Sequence, residues 1–429
     1  MMIRSRLGRS AAMLVALTFV AASCGDDEDE AGSTTTAAAE ESTTTAAAEE
    51  STTTAAAEES TTTTVAPPTG EPIKLMTIFE AGGAGATPEI SDGVQAAAEA
   101  INRNGGINNR PIEIIECDAG NDPNTAAECG RQAVAEGVVA VVGALTSNAG
   151  EYMPILEENK IPAIGNVPAA TADFLSAASF PIYGGLPAAS AALAAGLVEK
   201  GATNISVARV DLAAASAIAV FANTALATKG LAVGKDVSVP ASAPDMATYV
   251  ALATDGGTDG VVVGLFGQDA TNFIIQLRQT APDVQIAATT TDFAAVVEAL
   301  GDGADGIVVT QFFESVEGDS PAAKQFMDDL VAIGVDEPAG FRANSYASVM
   351  VFAQIVSEMA DISAAALWDL LPTLENIDVG MMPPVQFKTG GAGGIPRLFN
   401  VCVQYAEMQD GKSTVFSDGF LNPFTGEAC

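Results

Sequence analysis

Residues Val138–Thr171 read VVAVVGALTSNAGEYMPILEENKIPAIGNVPAAT, and the fold turns on how this stretch is read. It holds two short apolar runs, Val138–Leu145 and Ile161–Val167, each followed by small polar residues. Unbroken rather than alternating apolarity predicts parallel strands covered on both faces. In an open α/β sheet, small molecules sit beyond the carboxyl ends of the strands, near helix starts with unpaired backbone N–H groups. Thr146-Ser147-Asn148 and Ala169-Ala170-Thr171 occupy two such ends. Ser, Thr and Asn at a helix start also serve as ordinary caps. The stretch therefore leaves two roles open for them, caps or the jaw of a small-molecule site.

Outward from this stretch the same rhythm continues. On the amino-terminal side, Ile73–Phe79 predicts a buried strand, followed by Glu80, a Gly82–Gly85 loop and a helix over about Ser91–Arg103. This strand, Gly loop and helix do not make a dinucleotide site, because Pro88 stands where the last Gly of G-x-G-x-x-G belongs. Ile112–Cys117 predicts the next strand, and Asp122-Pro123-Asn124 a turn capping a helix over Thr125–Glu136. Asp118–Asp122 lacks the alternation and distal Glu of a calcium loop.

On the carboxyl-terminal side, Phe180–Gly185 ends the first set of units. A second set follows, with strands at Ile205–Val210, Val237–Val239, Gly260–Phe266 and Gln285–Thr289, and helices between them. Two such sets imply two doubly wound α/β lobes. Gly306–Gln311 is read as the return to the first lobe, followed by helices at Pro321–Ile333 and Ala343–Ala360. Val385–Phe387, Phe399–Tyr405 and Ser413–Phe416 have the look of hairpin strands.

Composition removes several functions. The chain has 429 residues, enough for two domains, and a formal charge of −36, which opposes nucleic-acid binding and docking on an anionic membrane surface. It contains no His, so no Ser-His-Asp triad, Cys-His pair or His-ligated zinc is available. No nucleophile–base pair is visible, so no enzyme activity, cofactor or metal is expected.

Arg4, Arg6 and Arg9 precede an apolar run, Ala11–Ala22, too short to span a bilayer as a mature helix. Ala21-Ala22-Ser23-Cys24 resembles a bacterial lipobox, implying removal of residues 1–23 and a lipid on Cys24, with an ordinary secretory signal cut near Ala-x-Ala as the alternative. STTTAAAEE then begins at Ser33, Ser42 and Ser51, and a fourth copy decays before Gly70. A unit this polar buries nothing, so 24–70 is read as a disordered tether. The remaining cysteines are Cys117, Cys129, Cys402 and Cys429, which allow three pairings. Cys117–Cys129 and Cys402–Cys429 are expected, the first joining a strand end to the next helix and the second pinning the tail. Free buried thiols are the alternative.

The run from Ile101 to Ala149, INRNGGINNRPIEIIECDAGNDPNTAAECGRQAVAEGVVAVVGALTSNA, together with the later PAAT, resembles the substrate-binding proteins of ABC importers. The nearest group is the type I periplasmic fold of branched-chain amino acid receptors. The resemblance is strongest over 73–185 and extends to about 416. It implies two lobes joined by three crossings, with 71–185 and 312–380 in the first lobe and 186–311 and 381–429 in the second. It also implies an extracytoplasmic, membrane-anchored receptor working with ABC permease subunits, or a ligand sensor on the same fold.

Carried over by residue, it places the family's binding Ser on Ser147, its backbone-contributing Ala on Ala169 and its binding Thr on Thr171. Together these would hold the carboxylate and ammonium of an amino acid. Leu145 and Thr146 would line the wall, and Phe266 would be the opposing lobe's aromatic contact. The family's second-lobe Tyr falls near Ala213–Ala215, where this chain has no aromatic. Its ammonium-binding acid falls near Thr289, which would favour an amide, a carboxylate lacking the amine or another small solute unless Asp292, three residues later, or Asp211 from elsewhere restores the charge.

Overall fold

The computed structural model describes residues 66–82, 86–212, 215–288, 293–315, 320–338 and 340–429. The expected leader, Cys24 and most of the tether lie outside them, as do Ala213, Thr289 and Asp292.

The first sheet has five parallel strands in the order β2-β1-β3-β4-β5. These are β1 (Ile73–Phe79), β2 (Ile112–Asp118), β3 (Ala140–Val142), β4 (Ala163–Ile164) and β5 (Ser179–Phe180). The intervening helices are α1 (Glu89–Arg103), α2 (Pro123–Glu136), α3 (Ala149–Glu158) and α4 (Thr171–Leu175). Along β1 the side chains alternate between two cores. Ile73 and Leu75 pack with the α1 side, while Met76 and Ile78 pack with the α2–α3 side. Both faces are covered, which is why the strand is apolar on both sides apart from Lys74 and Thr77.

β3 and β4 are shorter than the apolar runs suggest, for a local reason. Gly143 and Gly165 follow them with φ of +61° and +68°, ending regular pairing. A Cβ on Gly143 would stand 2.9 Å from Ser345 Cβ, and one on Gly165 would stand 1.9 Å from Ser348 Oγ. Both serines belong to a helix that lies directly across these strand ends, so glycine allows both the turn and the close approach.

The second sheet has seven strands in the order β12-β11-β10-β9-β8-β6-β7. After α5 (Gly185–Glu199) come β6 (Ile205–Val210), α6 (Ser216–Thr228), β7 (Asp236–Val239), α7 (Ala247–Thr254) and β8 (Gly260–Gly264). α8 (Gly267–Thr280), β9 (Gln285–Ala288), α9 (Phe293–Leu300) and β10 (Val308–Gln311) complete the run. Val261 and Val263 face one core and Val262 the other, repeating the two-sided burial of the first lobe. β10 pairs with β9 and β11, so Gly306–Gln311 closes the second sheet instead of returning to the first, and the crossing comes immediately after it.

The chain then adds α10 (Pro321–Ala332), α11 (Arg342–Ser357) and α12 (Ala364–Leu370), which pack against the first lobe's core. Met381, Val385, Phe387 and Phe399 are buried in that core as well, so the expected boundary at 381 falls too early. Within Val385–Phe387 only Val385 is bridged, to Ile377, and the expected hairpin reduces to β11 (Gln404–Gln409) and β12 (Lys412–Val415), antiparallel edge strands of the second sheet. Disulfides join Cys117 to Cys129 and Cys402 to Cys429, the pairing expected from the sequence.

Three crossings run side by side. Tyr183, on the first, lies 4.8 Å from Phe312 and 5.9 Å from Phe313, on the second. Gly184 abuts Asn400 and Val401 of the third, and Asn400 Nδ2 donates to the Pro181 carbonyl at 3.3 Å. Arg397 lies over the Phe180 and Phe399 rings and donates to the carbonyls of Ser179 and Ala177.

Candidate functional site

The carboxyl edge of the first sheet gathers Glu80 after β1, Ala119–Asp122 after β2, Leu145–Asn148 after β3 and Val167–Ala170 after β4. The last two turns are tied together, since the Val167 N–H donates to the Ala144 carbonyl at 2.8 Å. Ser147, Ala169 and Thr171 are exposed, Leu145 is half-buried and Thr146 is buried.

Neither Ser147 nor Thr171 caps a helix. The residues before α3 and α4 are Asn148 and Ala170, and neither makes a side-chain cap. Thr146 Oγ1 instead accepts from the Asn148 N–H at 3.1 Å, while Ser147 Oγ donates to Asn121 Oδ1 at 3.2 Å.

Glu80 underlies this corner. It is only 5% exposed, and its carboxylate accepts from Thr146 Oγ1 at 2.6 Å and from the Asn121 N–H. Asn121 has φ of +53°, a left-handed conformation that Asn tolerates better than most residues. Glu80 thus pins the turns after β2 and β3 to each other, and Asn121 passes that constraint to Ser147.

The second corner is organised by Asp173, which is 2% exposed. Its carboxylate accepts from the N–H groups of Ala169 and Ala170 at 3.2 and 2.8 Å, and from Asn166 Nδ2 at 2.8 Å. Burial pushes its pKa up to about 6, against the lowering effect of these donors. Burial also raises the Tyr183 and Tyr152 hydroxyls, with the Asp173 charge adding to it. The Ala169 N–H, expected to face a ligand, is therefore already engaged by Asp173.

On the second lobe Phe266 lies between β8 and α8 in extended conformation and is 52% exposed, so it is not core. Asp211, just past β6, accepts from Ser238 Oγ at 2.6 Å. Among the described residues no group of acids and cysteines is arranged to hold a metal.

Sequence reasoning missed Glu80, Asn121 and Asp173. An acid directly after a mainly apolar strand and an acid three residues past Ala170 were the available signals. Neither reveals its acceptor geometry without the neighbouring turns.

Two doubly wound lobes joined by three adjacent crossings, with polar turns at the strand ends, define a two-lobed solute-binding protein of the type I periplasmic kind. The chain belongs to the periplasmic binding protein family, whose model matches residues 72–411. That family is one of binding proteins, not enzymes.

Solved structures share the fold at low identity. A possible leucine/isoleucine/valine-binding protein from Rhodopirellula baltica is 19% identical with a TM-score of 0.68, over 82% of this chain and 98% of that one. An ABC-transporter solute-binding protein from R. palustris, in complex with 4-hydroxybenzoate, is 18% identical with a TM-score of 0.66, over 82% and 97%. A branched-chain amino acid transporter substrate-binding protein from Streptococcus pneumoniae, in complex with isoleucine, is 22% identical with a TM-score of 0.62, over 81% and 99%. No curated protein sequence matches.

Proposed function

We propose that this protein is an extracytoplasmic, lipid-anchored solute receptor that closes its two lobes over a small molecule and delivers it to an ABC permease. The observation that carries this reading is the trio of adjacent crossings, where Tyr183 meets Phe312 and Gly184 meets Val401, between two sheets with polar carboxyl edges. Crossings confined to one narrow waist let lobes rotate as rigid bodies. Ser147 and Thr171 on one edge and Phe266 on the other are the contacts proposed for the ligand. Relatives of the same fold hold isoleucine and 4-hydroxybenzoate, which supports a small amino acid, amide or carboxylate as the ligand class. Cys24 is proposed as the lipid attachment, with residues after it as the tether.

A thermal-shift screen of the purified protein against amino acids, amides, carboxylates and aromatic acids tests the receptor reading. A ligand bound only by the native state raises the melting temperature. The reading fails if no compound in a broad panel does so. Intact-mass measurement of the membrane-extracted protein tests the anchor, which an unmodified amino terminus would exclude.

A further inference from the structure

The third crossing is built differently from the first. The first passes once from the first-lobe core, at Tyr183, into α5 of the second lobe. The third touches both lobes almost residue by residue. Arg397 and Phe399 grip the first lobe. The Arg397 N–H donates to the Phe174 carbonyl at 3.1 Å, and its guanidinium donates to the carbonyls of Ser179 at 2.7 Å and Ala177 at 3.1 Å. The same guanidinium lies 4.3 Å from the centre of the Phe180 ring and 4.8 Å from that of Phe399, two rings parallel to within 5°. Phe399 is buried in the first-lobe core, and its carbonyl accepts from Gln386 Nε2 at 2.9 Å.

Leu398, between these two, belongs to the other lobe. It is fully buried in a cluster formed by Ala188, Ala191 and Ala192 of α5 with Tyr405 and Phe424. Ala392 and Ile395 pack on the same cluster, and Gly393, with φ of +60°, comes so near that a Cβ there would stand 3.2 Å from the Phe424 ring. Neighbouring side chains are thus anchored in different lobes. Consecutive Cα atoms are only about 3.8 Å apart, so the chain between the two holds has no slack. A change in the angle between the lobes must strain or release one of them.

We propose that Arg397 and Leu398 form a staple across the hinge, which sets the angle at which the unliganded lobes rest and has to yield when they close. They are positioning residues, acting through that angle and not on the solute. The staple rests on the reading of the protein as a receptor whose lobes rotate about the crossings.

Single-molecule energy transfer between dyes on Glu158→Cys of α3 and Ala227→Cys of α6, both exposed positions, reads the interlobe distance without any ligand. Cys117, Cys129, Cys402 and Cys429 are paired, and Cys24→Ser removes the remaining thiol. Leu398→Ala loosens one hold. Arg397→Lys loosens the other, because an ammonium keeps the charge but lacks the planar fork that reaches two carbonyls. Each is expected to broaden the transfer-efficiency distribution relative to the wild type. The two holds act in series, so the double variant should broaden it no further than the more affected single variant. Where Leu398→Ala does not fold, Leu398→Val takes its place. In the wild type, the Arg397 amide should exchange about fivefold or more slowly than in the unfolded chain.

The proposal is overturned if either single variant, shown to be folded by circular dichroism, keeps the wild-type distribution. It is overturned equally if the double variant broadens it by the sum of the two, or if the wild-type Arg397 amide is unprotected, a result that needs no variant. None of these measurements uses a solute, so the staple can fail while the library screen succeeds, and the reverse.

Discussion

Asp173 shows how one residue can serve positioning at a cost in stability. Its carboxyl is ordinary in the unfolded chain, with a pKa of 3.8, and is raised to about 6 in the folded protein. The folded state therefore binds the proton more tightly, and this favourable contribution is complete below about pH 4 and lost as pH rises through 6. Near neutrality the ionised buried group costs about 3 kcal/mol relative to its protonated form. Urea midpoints between pH 4 and 7 should fall with rising pH in the wild type, and Asp173→Asn should flatten that slope. At Thr171 the expectation is different, because its hydroxyl caps nothing. Thr171→Ala should leave unliganded stability within about 0.5 kcal/mol. It should weaken binding of whichever compound the screen returns by about 1–3 kcal/mol, roughly five- to two-hundredfold. Calorimetry alongside chemical denaturation reads both quantities, and a loss of stability without loss of affinity would remove Thr171 from the site.

Among the elements, α11 has the most consequence for the site. It lies across the ends of β3 and β4, with Ser348 Oγ donating to the Gly165 carbonyl at 3.2 Å and Asn344 Nδ2 to the same carbonyl at 2.9 Å. Gly165→Ala combines a positive φ with a Cβ placed on Ser348, so a destabilisation of about 3 kcal/mol or more is expected from thermal melts. The disulfides act on elements too. Cys117–Cys129 ties the end of β2 to α2 over 12 residues, and Cys402–Cys429 ties the tail to the segment before β11 over 27. In the chain-entropy model they contribute about 3 and about 3.5 kcal/mol respectively. Cys402→Ser with Cys429→Ser should lower the midpoint by an amount of that order. An unchanged midpoint would mean that Leu421 pairing with Val403 and the burial of Phe424 hold the tail without the disulfide.

For the whole molecule, the net charge of −36 sets a background of self-repulsion. Raising ionic strength from about 10 mM to about 500 mM shortens the screening length from roughly 30 Å to under 10 Å. The melting temperature of the unliganded protein should rise over that range, and a fall would show that local ion pairs such as Arg342–Asp92 outweigh the repulsion. Closure is expected to appear as compaction in small-angle scattering when a ligand is added, because the waist at Tyr183, Phe312 and Val401 is narrow.

The sequence by itself determined the layers. Unbroken apolar runs such as Val138–Leu145 and Gly260–Gly264 are satisfied by sheets covered on both faces, and their alternation with helices pointed to two doubly wound lobes. It also pointed to the cysteine pairing, since short separations and shared sheet edges favour those partners, and the structure decided it against the other pairings and free thiols. Ser147 and Thr171 were legible as residues at strand ends, but their roles were not. Whether a hydroxyl donates or accepts depends on what lies beside it, and Asn121 and Glu80 come from the turns after β2 and β1, 26 and 67 residues away from Ser147 in the chain. The extent of the first lobe was equally hidden, because Val385 and Phe387 have strand-like composition but a better apolar surface to cover in the core beneath α11. Local pattern dictates which elements form. Only three-dimensional neighbours dictate where a proton is held.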